Sequence, residues 1–380
     1  MESNENIFFE FYKNKRVLIT GHNGFKGTWL TRILLNAGAM VMGYSLKPPS
    51  EPALFYVAGI KNHPNFKEMI GDVRDLKRMR KVFDEFHPDI VLHLAAQPIV
   101  RESYKNPHYT YETNVMGTVN LFECIRSTLG TSYQVKSVLN VTTDKVYHNN
   151  EWSWGYREND PLDGYDPYSN SKSCSELVTH SYRDSFFKNT DGSWKIPIST
   201  ARAGNVIGGG DFAEDRIIPD CVRAMKVAYE KKECNGTIKV RNPYSIRPYQ
   251  HVLEPLIAYL TIVMKQYKDP SYAEYYNIGP DDCDCITTGQ LVHLFCEKWN
   301  DDNNTGVNAL WEKQEEKDAP HEANFLKLDC SKIKAVFAWK PVWHIEECMK
   351  YTVDFTKTWI LGNDIVLEMD REIKCFFEKL

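Results

Sequence analysis

Two short segments carry the residues that could do chemistry. Thr142-Thr143-Asp144-Lys145 comes first, and Tyr168-Ser169-Asn170-Ser171-Lys172 begins 23 residues after Lys145. On a helix, Tyr168 and Lys172 lie one turn apart on the same face. An ammonium beside a phenol favours the phenolate, which can take the proton of an alcohol as its hydride leaves. Thr143 adds a hydroxyl, Asp144 a carboxyl and Lys145 an amine at the end of a predicted strand, Ser137-Val138-Leu139-Asn140-Val141. Oxidation of an alcohol requires the tyrosine, the lysine and a hydroxyl. An adjacent acid and amine exceed that requirement and point to a second proton-transfer event on the same substrate. The Tyr-x-x-x-Lys pair alone is weak, because a chain with 21 tyrosines is apt to contain one by chance. Its weight depends on a dinucleotide fold upstream.

That fold is legible. Arg16-Val17-Leu18-Ile19-Thr20 reads as a buried strand, Gly21-His22-Asn23-Gly24-Phe25-Lys26-Gly27 as a tight turn, and the apolar spacing of Trp29, Leu30, Ile33 and Leu34 as a helix. Strand, glycine-rich turn and helix in that order build a pyrophosphate site. The glycines permit close backbone approach and the helix N-terminus faces the anion. Gly21, Asn23, Gly24, Phe25 and Gly27 are therefore candidate cofactor contacts.

Strand and helix patterns keep alternating. Residues 39–44 read as the second strand, 69–73 as the close of the third, 89–96 as the fourth running into a turn of small residues, and 113–118 as the opening of a helix. This implies a Rossmann-like, doubly wound parallel sheet with a smaller α/β C-terminal unit. Ligands on such sheets sit at the carboxyl ends of the strands. Asp72 and Val73 are placed to meet the adenine ring, Ala95, Ala96 and Gln97 to line the cofactor path, and Asn114 to order the site. The boundaries read as 11–200 for the dinucleotide unit, with a returning segment near 238–265, and 201–237 plus 266–360 for the substrate unit.

Residues 43–49 contain no acid to hold an adenosine 2′-hydroxyl and no arginine to mark a 2′-phosphate. Ser45 takes the ribose role, and Lys47 is compatible with a phosphate. NAD is the expected cofactor, with NADP less firmly excluded than usual.

The second half is rich in anion-binding residues. Residues 201–211, which include Asn205, follow a strand and expose backbone donors. Arg216-Ile217-Ile218-Pro219 precedes a helix, and Arg247-Pro248-Tyr249-Gln250-His251 sets a guanidinium among aromatic groups, suited to a diphosphate. Arg223 and Arg241 read as surface salt-bridge partners, and residues 311–317 as a solvated face of mixed charge. Residues 364–380 look like an amphipathic C-terminal helix.

Bulk properties narrow the class. The 380 residues are 42% apolar and 26% charged, an ordinary globular composition. A net charge of −5 argues against nucleic acid as partner. No apolar run approaches the ~20 residues of a membrane span, and the polar, acidic start is unlike a signal peptide. Ten cysteines without paired spacing read as reduced thiols, so the expected location is cytoplasmic and no metal is expected.

These segments together resemble the extended short-chain dehydrogenase/reductases that act on nucleotide sugars, and within them the CDP-glucose branch of the 4,6-dehydratases. The likeness rests on residues 21–27, 95–101, 142–147, 151–158, 166–172, 204–211, 247–255 and 321–323 and runs over roughly residues 15–355. Trp152, Trp154 and the Asp144-Lys145 dyad are its most specific parts, since sister dehydratases acting on dTDP-glucose carry Asp-Glu at that dyad.

The resemblance implies a homodimer or homotetramer that converts CDP-glucose to CDP-4-keto-6-deoxyglucose and water. Tyr168 would take the 4-hydroxyl proton, Thr143 bind the C4 oxygen, and Lys172 hold the phenolate and the cofactor ribose. Lys145 would remove the C5 proton and Asp144 protonate the departing 6-hydroxyl. Gln97, Arg101, Asn205, Arg216, Pro219, Arg247, His251, His321 and Glu322 are the expected substrate contacts. A nucleotide-sugar 4-epimerase would need the tyrosine and lysine but not the dyad. A non-catalytic dinucleotide-binding regulator would need neither pair.

Overall fold

The computed structural model describes residues 4–302, 304–314 and 326–380. Its centre is a seven-stranded, all-parallel sheet. In chain order its first six strands are β1 Arg16–Thr20, β2 Met40–Ser45, β3 Phe66–Ile70, β4 Ile90–His93, β5 Ser137–Val141 and β6 Ile198–Ala203. β7 Asn205–Ile207 leaves this sheet immediately after β6, across Gly204. It is followed by β8 Asn235–Val240, β9 Ile246–His251, β10 Tyr275–Ile278, β11 Cys285–Thr287 and β12 Asn308–Lys313. The central order is β10-β6-β5-β4-β1-β2-β3, so the strand sequence reverses between β1 and β4. In such sheets that reversal opens a crevice at the carboxyl ends of the two strands.

The strands are apolar because both faces of the sheet are covered. β4, β5 and β6 are buried at every position. On one face, the helices Phe25–Asn36 and Leu253–Lys268 join Trp29, Leu30, Ile33, Leu256 and Leu260 into a core with Ile19 and Leu139. On the other face, Val82, Phe83, Leu121 and Phe122 pack with Val91 and Val138. Each such side chain contributes about 1.5–3 kcal/mol on full burial.

The returning segment differs from the expected 238–265. The chain comes back through the helix Leu253–Lys268 and the edge strand β10, whereas β8 pairs with β12 and β9 joins β7 and β11 in two smaller sheets. β10 has no clear apolar alternation, because its buried Asn277 is satisfied by long-range partners. The Tyr147 hydroxyl donates to its Oδ1 at 2.6 Å, and its Nδ2 donates to the carbonyls of Tyr156 and Asp329. The strand starts and ends otherwise agree with the sequence reading to within a few residues. The C-terminal helix is Ile365–Lys379, held by the Arg32 Nε bond to Asp370 at 2.7 Å.

Residues 113–118 do not open a helix. They lie inside one that runs through Pro107–Tyr111, a π-helical turn at Glu112–Met116, and Gly117–Arg126. The wide turn lets Asn114 project toward the end of β4, a common use of π turns near functional sites.

Candidate active site

Three strand ends and one helix converge on a single cavity of about 930 Å³. That is at the upper end of the ~300–1,000 Å³ common for small-molecule sites. After β1, Gly21 adopts φ +75°, and a Cβ there would meet the backbone nitrogen of Ala95 at 2.8 Å. A Cβ on Gly27 would meet the Gly21 carbonyl oxygen at 2.1 Å, so the turn closes only with glycine at both places. A Cβ on Gly24 would make only ordinary contact, with the Gly21 carbonyl oxygen at 3.7 Å, and Gly24 lines the cavity. Asn23 fastens the turn to the next strand by donating to the Leu46 carbonyl at 2.7 Å. The cradle and the helix N-terminus behind it fit the diphosphate of a dinucleotide.

Phe25, Ser45, Asp72, Val73, Ala95, Ala96 and Gln97, the other expected cofactor contacts, also line the cavity. Asn114 does not. Its side chain accepts from the Gln97 backbone at 2.8 Å and donates to the Ser171 hydroxyl at 2.8 Å. It therefore staples the loop after β4 to the helix Pro167–Ser185 from behind the cavity wall.

That helix presents Tyr168 and Lys172. Asp166 caps it, accepting from the Ser169 backbone at 3.0 Å, and Pro167 occupies the first turn. Ser173 bonds the Val146 carbonyl at 2.7 Å, which fixes the helix against the short turn Asp144–Val146 after β5. A fully buried ion pair sets the helix against β5 and β6. Arg202 Nε meets Glu176 Oε1 at 3.0 Å, while Thr200 donates to Glu176 Oε2 at 2.7 Å. Burial alone would raise the Glu176 pKa, but Arg202 and the hydrogen bonds hold it well below the usual carboxylate range. Removing one partner of such a pair costs about 3–5 kcal/mol.

Within the cavity, the Thr143 hydroxyl donates to Asp144 Oδ1 at 2.9 Å. Asp144 Oδ2 is buried without a hydrogen-bond partner. Burial pushes the Asp144 carboxyl up, against the opposing pull of Lys145, Thr143, Arg247 and Lys26. A carboxyl in this state favours its protonated form and can deliver a proton.

Burial also pushes the Tyr168 phenol up to about 12, while Thr143 and Arg216 pull it down. Lys172 does not set that value. Its ammonium donates to the Val141 carbonyl at 3.0 Å, and burial with the nearby Lys26 charge lowers it to about 8. Lys172 is expected to hold Tyr168 as phenolate; in the protein's own field burial favours the protonated phenol, and the groups that oppose it are Thr143 and Arg216. A cationic ring bound beside it would act in the direction needed to release that proton.

Of the expected substrate contacts, Gln97, Arg101, Asn205, Arg216, Pro219 and Arg247 line the cavity. Arg216 pairs with Asp211 at 3.0 Å. His251 does not reach the cavity. It sits at the far end of β9, fully buried, with Trp343 at 4.8 Å between ring centroids and Glu372 at 3.5 Å. Burial lowers its pKa to about 3. The run Arg247-Pro248-Tyr249-Gln250-His251 passes from cavity to core, which the local sequence does not reveal. His321 and Glu322 lie outside the described residues. Trp152 and Trp154 are away from the cavity; Trp152 stacks on Tyr156 at 5.4 Å, and Trp154 is exposed.

Three cations on the cavity wall, Lys26, Lys239 and Arg241, were not assigned there from sequence. Arg241, read as a surface residue, lines the cavity and pairs with Asp215 at 3.3 Å. Lys26, quoted only as part of the glycine turn, also lines it. Arg223 does keep to a surface pairing, with Asp220 and the carbonyl of Ala213.

Comparison with known proteins gives a consistent picture. The family model described as GDP-mannose 4,6 dehydratase matches residues 18–352. CDP-glucose 4,6-dehydratase of Salmonella typhimurium is 45% identical over 365 residues, covering 96% of each chain. Among solved structures, dTDP-glucose 4,6-dehydratase of Bacillus anthracis in complex with NAD superposes with a TM-score of 0.69 at 20% identity, covering 90% of this chain and 97% of that one. UDP-glucose 4-epimerase of Thermotoga maritima with UDP-glucose gives 0.71 at 20% identity, covering 91% and 99%. The two structural likenesses speak to the fold.

Proposed function

The chain belongs to the GDP-mannose 4,6 dehydratase family, and from that premise we propose that it is an NAD-dependent CDP-glucose 4,6-dehydratase, a lyase that releases CDP-4-keto-6-deoxyglucose and water. The observation that carries this reading is Asp144, a buried carboxyl with raised pKa and an unpartnered oxygen, set between the Thr143 hydroxyl and Lys145. The 45% identity to the Salmonella CDP-glucose enzyme over nearly the whole chain supports the choice of nucleotide.

NAD, when bound, supplies the hydride acceptor for C4 and the donor for C6, so the overall reaction has no net redox change. Gly21, Asn23, Gly24, Phe25 and Gly27 would hold its diphosphate, Ser45 its adenosine ribose, Asp72 and Val73 its adenine, and Ala95, Ala96 and Gln97 the path between. Asn114 would act by positioning that last segment. Tyr168 takes the proton of the sugar 4-hydroxyl while Thr143 binds the C4 oxygen. The resulting ketone acidifies C5–H, and Lys145 receives that proton. Asp144 gives its own proton to the 6-hydroxyl, which departs as water and leaves a C5–C6 double bond; reduction at C6 and protonation at C5 then complete the product. Arg216 and Arg247 face the nucleotide diphosphate, with Arg101, Asn205 and Pro219 shaping the rest of the substrate site.

The ten cysteines are all free, which is in keeping with a reducing, cytoplasmic setting. A homodimer or homotetramer remains part of the reading and rests on the family likeness. Among the described residues, no helix is long and apolar enough to cross a membrane.

The test is incubation of the purified protein with CDP-glucose, UDP-glucose, dTDP-glucose and GDP-mannose, reading loss of one water by mass spectrometry. Turnover should be greatest with CDP-glucose. With substrate deuterated at C4, the label should appear at C6 of the product. Label returned to C4 with inverted configuration, and no water lost, would instead make it a 4-epimerase.

A further inference from the structure

Away from the cavity, a thiol, a carboxylate and an imidazole meet at the protein surface. Cys283 and Asp284 close the short turn Asp282–Asp284 that leads into β11, and His344 precedes the helix Ile345–Ile360. Cys283 Sγ lies 3.9 Å from His344 Nδ1, and that nitrogen lies 2.9 Å from Asp284 Oδ2. The three atoms fall within 4.8 Å of one another. Asp284 is buried and held in place: its Oδ1 accepts the backbone N–H of Ile345 at 2.9 Å, which leaves Oδ2 turned to the imidazole. The neighbouring acids are engaged elsewhere, Asp281 with Lys334 and Asp282 with Lys327. Cys283 and His344 are exposed, so ions in solution reach both.

Spacing along the chain hides this group. Cys283 and Cys285 are separated by a single residue, Cys285 turns back toward the Asp281 carbonyl at 4.0 Å, and the imidazole arrives 61 residues after the first thiol. The ion pair between His344 and Asp284 accounts for two of the side chains but not for the thiol beside them. One metal ion accounts for all three. Zn2+ binds cysteine sulfur at ~2.3 Å, histidine nitrogen at ~2.0–2.1 Å and carboxylate oxygen at ~2.0–2.2 Å in a tetrahedron, which sets the ligand atoms about 3.4–3.6 Å apart. The Sγ–Nδ1 and Nδ1–Oδ2 separations differ from that by about half an ångström or less, and the thiol, on an exposed side chain, has room to turn toward Oδ2. Thiolate and imidazole favour Zn2+ over hard ions such as Mg2+ and Ca2+, which take oxygen ligands.

We propose that Cys283, Asp284 and His344 form a Zn2+ site, with the fourth position left to water. This departs from the expectation of no metal. The ion takes the place of the thiol proton and of the proton in the His344–Asp284 bond. It joins the turn before β11 to the start of the helix Ile345–Ile360, segments far apart in the chain, and so favours the folded state. β11 pairs with β9, Ile286 opposite Arg247, and Arg247 lines the cavity. The site braces the strand pair that carries Arg247 and takes no part in the hydride or proton steps. It is independent of which nucleotide sugar fills the cavity.

The test uses the full chain, freed of metal with a chelator and titrated with Zn2+ against a chromophoric competitor. One Zn2+ should bind per chain. Changing a supporting partner of a metal ligand costs about 10–100-fold in affinity, so loss of a ligand should cost at least about 100-fold. Cys283→Ser and His344→Asn should each show that loss; asparagine keeps an N–H donor near the place of Nδ1 but is a poor ligand for Zn2+. Cys234→Ser, which removes another exposed thiol, should leave the affinity unchanged. Co2+ in place of Zn2+ reports on the unsubstituted chain without any variant. Its spectrum should carry the near-ultraviolet band of a thiolate bonded to cobalt and the intense visible bands of a four-coordinate ion. Equal Zn2+ affinity in the unsubstituted chain and in Cys283→Ser would overturn the proposal, as would a Co2+ complex lacking the thiolate band. So would an unsubstituted chain that binds no Zn2+.

Discussion

Asp144→Asn separates the two halves of the proposed reaction. Asparagine has the size of aspartate, and its Oδ1 can still accept the Thr143 hydroxyl bond, which spans 2.9 Å in the structure. The tight approach of Gly204, whose added Cβ would lie 3.2 Å from Asp144 Oδ2, is preserved by the equal volume. The substitution therefore removes the transferable proton and little else. A positioned general acid contributes a factor of about 10²–10⁴, or ~2.7–5.4 kcal/mol of barrier. Water loss should slow by that factor. Oxidation at C4 should not slow, because Tyr168, the base proposed for that step, and the Thr143 hydroxyl proposed to bind the C4 oxygen are both retained in the cavity. The consequence is visible: on mixing with CDP-glucose, reduced dinucleotide should build up on the enzyme and persist, read by its near-ultraviolet absorbance. Water loss at the unsubstituted rate would refute the assignment of Asp144 as the elimination acid. Slow water loss without accumulated reduced cofactor would refute the ordering, since Asp144 would then serve oxidation.

Tyr168→Phe keeps the ring in its buried place but removes the proton acceptor; turnover should fall by about 10²–10⁴ or more with substrate affinity nearly unchanged, and near-normal turnover would assign the first base elsewhere. His93 provides a pH test of stability. It is buried beneath the cavity with Thr20 at 2.7 Å and Thr118 at 3.2 Å, and burial together with Lys172 lowers its pKa to about 3. An unfolded histidine titrates near 6.5, so below about pH 6.5 the unfolded chain takes up a proton that the folded chain refuses. The stability advantage of the unsubstituted protein over His93→Asn should be full near pH 7 and shrink by up to ~1.4 kcal/mol per pH unit on acidification, measured by urea unfolding at about pH 7 and about pH 5. An advantage that is constant with pH would show that His93 takes up its proton alike in the folded and unfolded chain, and would refute the lowered value.

What was legible in the sequence is what is fixed locally. The glycine turn, Thr143 to Lys145, and Tyr168 with Lys172 each sit at the end of a strand or on the first turns of a helix, and strand ends in a parallel sheet share one edge. Adjacency in the chain therefore became adjacency in the cavity. What failed depended on partners far along the chain. His251 and Arg247 share a short segment, yet one reaches the cavity and the other is enclosed by Trp343 and Glu372, more than ninety residues on. Arg241 looked like a surface residue because nothing nearby in sequence shows that β8 closes against β12 and turns its end toward the cavity. Asn114, read as ordering the site and also counted among the cofactor contacts, does not line the cavity; a π turn aims it at the backbone of Gln97.

Lys26 is the instructive case. Its backbone belongs to a motif whose logic is steric, so its side chain drew no attention. The fold then places that ammonium among Lys172, Arg216 and Asp144, where it counts toward a cavity wall rich in positive charge. A diphosphate substrate and a diphosphate cofactor need such a wall for binding. The same wall lowers the proton affinity of the groups within it, and that is what a tyrosine held at about 12 requires before it can act as a base. Binding and activation thus draw on one set of charges. Asp144, whose carboxyl burial pushes up against the pull of those same cations, is the group on that wall suited to give a proton back.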